Sequence, residues 1–338
     1  RPAGFAEEVA PEPRPSAGQT PGGRERTKPG VPVKLVVLGA PRPLHLNRWK
    51  DDIAEAAVRL GWDVTHLPAR DIPTEDVVRE CKGADLLIWA RTHGHNPVGD
   101  LAGMLRRIED AGTPTVALHL DLYWGIVRRE RDIASRHPWW SCQTVFTADG
   151  GIRPWARFGI NHRWLPPPMG HRFYGRGMPD ARFMGRAAFV GSYVPRIHGA
   201  HRKKLIDWAH RRYRQDFARY GAFGPKIWGS TLNDLVASVE VVVGDSAPAP
   251  CYWSDRVPIT LGRGGLLAHP RTPGMAGQGF TDDVMVTFDR LDFAGLGRRL
   301  DALTEADRRR ITDNALTLIG ERHMWTHRLQ AIQQVVFG

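Results

Sequence analysis

Between Tyr252 and Pro270 the chain reads Tyr-Trp-Ser-Asp-Arg-Val-Pro-Ile-Thr-Leu-Gly-Arg-Gly-Gly-Leu-Leu-Ala-His-Pro. These residue types at this spacing suit the binding of phosphate. Ser254 is a good helix N-cap, and Pro258 is compatible with a helix only in its first turn. A helix that starts here presents free backbone N–H groups and the positive end of its dipole. Arg256, in the same first turn, adds a planar two-pronged donor. Gly264 and Gly265 permit close backbone approach just before a strand. The combination predicts a diphosphate cradle. Metal chemistry has much less support. His93-Gly-His95 could be a fragment of a zinc site, but no further ligands follow at a suitable spacing, and the chain contains no Asp-x-Asp motif.

The cradle needs strands and helices to hold it. Val33 to Gly39 is a β-branched run ending in glycine, which reads as a buried parallel strand. Asn47 can cap a helix carrying Trp49, Ile53, Ala57 and Leu60, and Gly61 stops it. Further strands are expected at 63–67, 84–90, 114–120 and 144–147, with a helix capped by Asp100 among them. Arg163 to Met169, with three consecutive prolines, interrupts this rhythm as a semi-rigid extended connector. The alternation then restarts. Strands are expected at 187–192, 217–220, 239–243, 265–268 and 284–288. A helix containing Leu205 and Trp208, one over 231–238, one opened by Thr304 with Asp307, and a last one from Trp325 to Val336 lie between or after them. Strands alternating with helices imply two successive doubly wound α/β halves, with ligands in the crevice beyond the strand C-termini. The expected division is a disordered arm at 1–30, a first half at 31–168 and a second at 169–338. The arm is rich in Pro, Gly, Glu and Arg and poor in bulky apolar residues.

Composition narrows the partners. The chain has 338 residues, a net charge of +11 and 42% hydrophobic residues, values that suit a globular protein attracted to polyanions. The excess lies mid-chain: nine Lys/Arg against Asp207 and Asp216 in 196–228, and seven Arg against Asp180 in 153–186. No apolar run is long enough for a membrane span. Cys81, Cys142 and Cys251 fit neither a disulfide framework nor a metal cluster and are expected as free thiols in a reducing cytoplasm.

The 185–335 region resembles the CgeB-like glycosyltransferases of the GT-B fold. Ser254-Asp-Arg256, Gly264-Gly265, Pro273-Gly274, Val284 to Phe288 and the helix from Leu303 onward fall in that family's order. Glu321-Arg-His-Met-Trp-Thr-His-Arg328 is similar to its His-aromatic-x-x-Arg close, and Phe189-Val-Gly-Ser192 followed by Arg196 resembles the start of its second domain. Over 31–165 the likeness is architectural. Two departures stand out. Val257-Pro-Ile-Thr260 replaces the family's aliphatic-aromatic-Glu run, and the loop 274–279 lacks an acidic residue.

The resemblance implies two Rossmann-like domains facing a crevice and transfer of a hexose or pentose from a nucleoside-diphosphate sugar, with a UDP-sugar as the expected donor and no metal required. Gly191, Ser192, Arg196, Ser254, Arg256, Gly264 and Gly265 would hold the donor, Arg196 and Arg256 by neutralising the diphosphate. An inverting reaction would need a base from the first half. The candidates are Asp121 at the end of its strand, His119 on the same strand face, and His93 and His95 in the loop after the preceding strand. Tyr123, Trp124, Trp139 and Trp140 are candidate aromatic platforms for sugars or bases. The acceptor is expected to be hydroxymethylated DNA in a bacterial or phage-infected cell, with Lys203, Lys204, Arg211 and Arg212 on its backbone. The alternatives are a cell-envelope glycan, lipid or protein as acceptor, and a non-catalytic nucleic-acid-binding protein on the same fold.

Overall fold

The computed structural model describes residues 32–39, 49–91, 95–221 and 224–338. The N-terminal arm, the Asn47 cap and His93 lie outside the described residues. The first sheet contains β1 (Lys34–Gly39), β2 (Asp63–Pro68), β3 (Leu86–Ala90), β4 (Thr115–His119), β5 (Thr144–Thr147) and β6 (His162–Trp164). Its order is β2-β1-β3-β4-β5-β6, parallel throughout. The second contains β7 (Gly185–Gly191), β8 (Phe217–Gly221), β9 (Val239–Val243), β10 (Leu267–Pro270) and β11 (Val286–Phe288). Its order is β11-β10-β9-β7-β8, again parallel. In both sheets the first strand lies between the next two, so the winding direction reverses beside it. The C-terminal ends of the strands around that reversal are where a doubly wound sheet leaves a crevice.

The central strands are buried on both faces, as parallel strands between helical layers must be. In the first half the helices are α1 (Trp49–Arg59), α2 (Thr74–Glu80), α3 (Leu101–Asp110) and α4 (Val127–Ala134). In the second they are α5 (Pro195–Tyr213), α6 (Gly229–Ser238), α7 (Arg256–Leu261), α8 (Phe293–Ala302), α9 (Glu305–Arg322) and α10 (Trp325–Phe337). Asp100 caps α3 through the Gly103 N–H, and Thr304 with Asp307 forms a reciprocal capping box on α9. Gly199, at φ 63° and ψ −176°, breaks α5 after its first turn, a conformation suited to glycine.

Three features depart from the sequence expectation. The strand expected at 265–268 is β10 at Leu267–Pro270, because Gly264 and Gly265 are spent on the turn that precedes it. The short polar strand β6 extends the first sheet at the start of the expected extended connector. The triproline segment, expected as a semi-rigid extended connector, is buried. Prolines bury cheaply because they have no N–H to satisfy, and the flanking Leu165 and Met169 N–H groups bond to the Thr147 and His323 carbonyls.

The last helix crosses back to the first half. Trp325, Leu329 and Ile332 pack in one core with Leu35, Val37, Ile53 and Ile88, and the Trp325 ring stacks on Trp49 at 6.0 Å. Outgoing and returning chains are joined where they pass. Met169 N–H bonds to the His323 carbonyl, and Trp325 N–H to the Met169 carbonyl. The buried Arg328 guanidinium donates to the Pro166 carbonyl (2.7 Å), the Arg322 carbonyl (3.1 Å) and His323 Nδ1 (2.8 Å). The sequence motif around residues 321–328 therefore forms the junction between the two sheets.

Candidate functional site

The crevice contains a cavity of about 180 Å³ lined from both halves. Asp121, two residues beyond the end of β4, and Arg129 from α4 supply the first wall. Ser192 after β7, His198 and Arg202 from α5, Ser246 after β9, and Tyr252, Ser254, Asp255 and Arg256 leading into α7 supply the second. A neighbouring cavity of about 160 Å³ shares Asp121, Tyr252, Ser254 and Asp255, and adds Trp49, His119 and Leu120.

The second wall is tightly braced. Arg202 is buried, and its guanidinium donates to Asp245 Oδ1 (2.5 Å), the Asp245 carbonyl (3.0 Å) and the Ser192 carbonyl (2.7 Å). Burial, together with the nearby Arg256 charge, pulls the Arg202 pKa down to about 10. Asp245 is buried as fully as Arg202. Burial acts to raise its pKa, but His201 at 3.1 Å and the Arg202 and Arg256 charges outweigh this and hold it low. Arg256 is half-buried. It donates to the Asp245 carbonyl at 3.4 Å, and its guanidinium lies 5.6 Å from the Phe189 ring centroid. A side chain on Gly191 would collide with that guanidinium, since an added Cβ would sit 2.6 Å from its carbon. Among the described residues no carboxylate lies within ion-pair distance of Arg256. A half-buried cation without a carboxylate, beside a second arginine, is an arrangement that an anionic ligand completes.

The loop carrying these groups is held from behind. His269 Nδ1 donates to the Pro270 carbonyl (2.8 Å), which leaves Nε2 to accept from the Ser246 hydroxyl (2.9 Å). Ser246 Oγ in turn accepts the Ser254 N–H (2.8 Å), and Ser254 Oγ accepts the Arg256 N–H (3.3 Å). Burial pulls the His269 pKa down to about 4, so this relay is neutral and fixed at physiological pH. His198 is likewise neutral. Burial, then Arg202 and Arg256, lower it to about 3, and its Nδ1 accepts the Val194 N–H (2.9 Å). Its proton therefore sits on Nε2, available as a donor.

On the first wall, Asp121 Oδ2 accepts from Arg129 at 2.7 Å, with His119 Nδ1 at 3.6 Å. Burial raises the Asp121 pKa to about 6; Arg129 opposes the shift and Asp255 adds to it. A carboxylate in that range, at the mouth of a cleft and held by an arginine, is suited to accept a proton near neutral pH.

The structure thus brings together Asp121, Ser192, Ser254 and Arg256, with Gly191 beneath Arg256 and His119 in the adjoining cavity. It leaves other candidates elsewhere. Gly264 and Gly265 lie at the far end of α7, packed against Arg176 and Val236, so their lack of a side chain serves packing and not phosphate. Arg196 is exposed in the first turn of α5, and the buried cation of that helix is Arg202. His95 is not among the residues lining either cavity. Tyr123, Trp139 and Trp140 are core residues, with the Trp139 indole donating to the Trp89 carbonyl (3.0 Å), so they offer no free platform. Among the described residues no group of three or more His, Cys, Asp or Glu could hold a metal ion. Sequence reasoning missed Arg129, His198, Arg202, Asp245, Ser246 and His269. The signal it had for Asp245-Ser246 was their position just past the Val241-Val-Val243 run.

No family model matches the chain, and no curated protein sequence matches it. Solved structures do. Sucrose-phosphate synthase from Thermosynechococcus elongatus matches with a TM-score of 0.56 and 10% identity, over 90% of this chain and 98% of that one. HepE from Anabaena, in complex with UDP-glucose, matches with a TM-score of 0.61 and 13% identity, over 90% and 99%. An alpha-glucosyltransferase in complex with UDP and a 13-mer DNA matches with a TM-score of 0.61 and 10% identity, over 91% and 100%. The chain has the fold of the GT-B glycosyltransferases, two Rossmann-like halves about a crevice, along nearly its whole described length.

Proposed function

We propose that this protein is a glycosyltransferase that moves a hexose or pentose from a nucleoside-diphosphate sugar to a hydroxyl acceptor. The observation that carries this reading is Arg256, a half-buried cation without a carboxylate partner, facing Asp121 across a cavity shared by both halves. The second half, 169–338, holds the donor, and the first, 31–168, presents the acceptor. UDP is the favoured nucleotide, since the HepE and alpha-glucosyltransferase complexes contain it.

In the reaction the acceptor oxygen forms a bond to the anomeric carbon, and the bond from that carbon to the diphosphate oxygen breaks. The electron pair leaves on the diphosphate, where Arg256 and the His198 Nε2–H stabilise it and Arg202 adds its field. Asp121 takes the acceptor proton, held in place by Arg129 and His119. No step calls for a metal, because the arginines supply the positive charge. Thermal-shift screening with UDP-, GDP-, ADP- and dTDP-sugars tests the reading: one of them should raise Tm, and the same compound should show slow hydrolysis or transfer. If none is bound, the rival reading as a non-catalytic nucleic-acid-binding protein takes its place.

The three cysteines are free, and no described helix is long and apolar enough to cross a membrane. The net charge of +11 favours a polyanionic acceptor such as DNA over a neutral glycan.

A further inference from the structure

Part of the excess positive charge of the basic mid-chain is neutralised by carboxylates. Lys203 pairs with Asp207 (2.6 Å) and Arg212 with Asp301 (2.5 Å). Arg211 and Arg212 also lie about 20 Å along α5 from its crevice end, at 1.5 Å per residue. Exposed mid-chain cations such as Lys204, Arg211 and Arg214 keep their charge free of ion pairs among the described residues, and a second surface, nearer Asp121, does so too. Arg128 and Arg131, three residues apart and so on one face of α4, are exposed. Arg157, after β5, is exposed as well. Among the described residues none of these three has a carboxylate within ion-pair distance.

The two segments form one rim. The buried Asp149 carboxylate accepts the Tyr123 N–H (3.1 Å) and the Trp124 N–H (2.9 Å), tying the loop after β5 to the loop before α4. The Trp124 ring packs at 5.9 Å from Phe158. Asp121 stands at the root of the same loop. Large apolar side chains project from the rim among the arginines: Ile152 is 95% exposed and Phe158 44%. Exposed apolar side chains need a partner surface. Arginines that fix a phosphate backbone, with an aromatic and an aliphatic group for unstacked bases, are what a single-stranded or locally opened nucleic acid fits. The salt-dependent binding of an unstacked strand, measured against competition by heparin, separates this occupant from an acidic polysaccharide.

We infer that the rim formed by α4 and the loop after β5 is a nucleic-acid docking surface, which delivers a base to the Asp121 side of the crevice. Only the description of the bound strand as an acceptor rests on the glycosyltransferase reading; the surface itself does not. The experiment is fluorescence anisotropy with a labelled single-stranded oligonucleotide at about 50 and 200 mM salt, alongside titration of UDP-glucose on the same proteins. Wild type should bind the strand with affinity that falls steeply with salt. The triple variant Arg128→Glu, Arg131→Glu, Arg157→Glu should lose at least about tenfold in affinity and flatten the salt slope by about three contacts. Phe158→Ala should weaken binding by about fivefold or more. The control pair Lys203→Glu, Arg212→Glu should stay near wild type, and UDP-glucose affinity should be the same in all. Absent or salt-insensitive oligonucleotide binding, an equal loss in the control pair, or displacement by heparin with no effect of Phe158→Ala overturns the surface. Oligonucleotide binding that behaves as expected, without binding of any nucleotide sugar, keeps the surface and removes the transferase reading.

Discussion

The two walls of the crevice are built on opposite principles. On the second wall the groups behind the cavity are braced: Arg202 bonds to Asp245 and to the backbone, and His269, Ser246 and Ser254 form a neutral relay. His198 and His269 titrate near 3 and 4 and Arg202 near 10, so these three keep one charge state between pH 5 and 9. On the first wall Asp121 titrates near 6. A rigid, permanently charged wall suits holding a diphosphate, and a wall with one titrating carboxylate suits moving a proton. The contrast assigns binding to one half and proton transfer to the other, and substitutions can separate them.

The largest expected effect is on the proton-transfer wall. Asp121→Asn should lower turnover by about a hundredfold or more while donor affinity stays near wild type. The same variant should be more stable at pH 7. Asp121 has a folded-state pKa raised from 3.8 to about 6. Folding thus favours its protonated form, and the stability this confers below pH 4 is lost as pH rises through 6. Thermal melts of both proteins at pH 4 and pH 7 check this, with the gap appearing only at the higher pH. Next in size, Arg256→Ala should weaken donor binding by about tenfold to a hundredfold, the loss of a charge-assisted bond worth about 1.5–3 kcal/mol. A steady-state pH profile should then show turnover rising with a midpoint near pH 6 while donor affinity stays flat across the same range. The smallest effect is on the relay. His269→Ala should raise the donor KM several-fold with little change in kcat, and it should leave the pH midpoint alone, since His269 orients Ser246 and Ser254 and touches no substrate.

The sequence made the two walls unequally readable. The strands were legible because short β-branched runs such as Val239–Val243 have few other homes. Arg256 was legible as a first-turn residue because helix-start chemistry is local, although the N-cap position falls on Asp255 and not on Ser254 as expected. Arg202 was not, since a cation in an amphipathic helix reads as solvated until the fold shows Asp245 beneath it. Gly264 and Gly265 misled for a related reason. A glycine pair signals close approach but does not say what approaches, and here it is Val236 and Arg176. The crossing of α10 was hidden because the apolar stripe Trp325, Leu329 and Ile332 suits either sheet. Trp139 and Trp140 likewise read as platforms until burial placed them in the core.

Donor titration measures the division of labour most directly. Wild type, Asp121→Asn and Arg256→Ala are titrated calorimetrically with the nucleotide sugar that gives the largest thermal shift. Equal affinity for wild type and Asp121→Asn, with a loss of at least about tenfold for Arg256→Ala, is the result expected if the second wall binds the diphosphate. An unchanged dissociation constant for Arg256→Ala, or a comparable loss for Asp121→Asn, would contradict it.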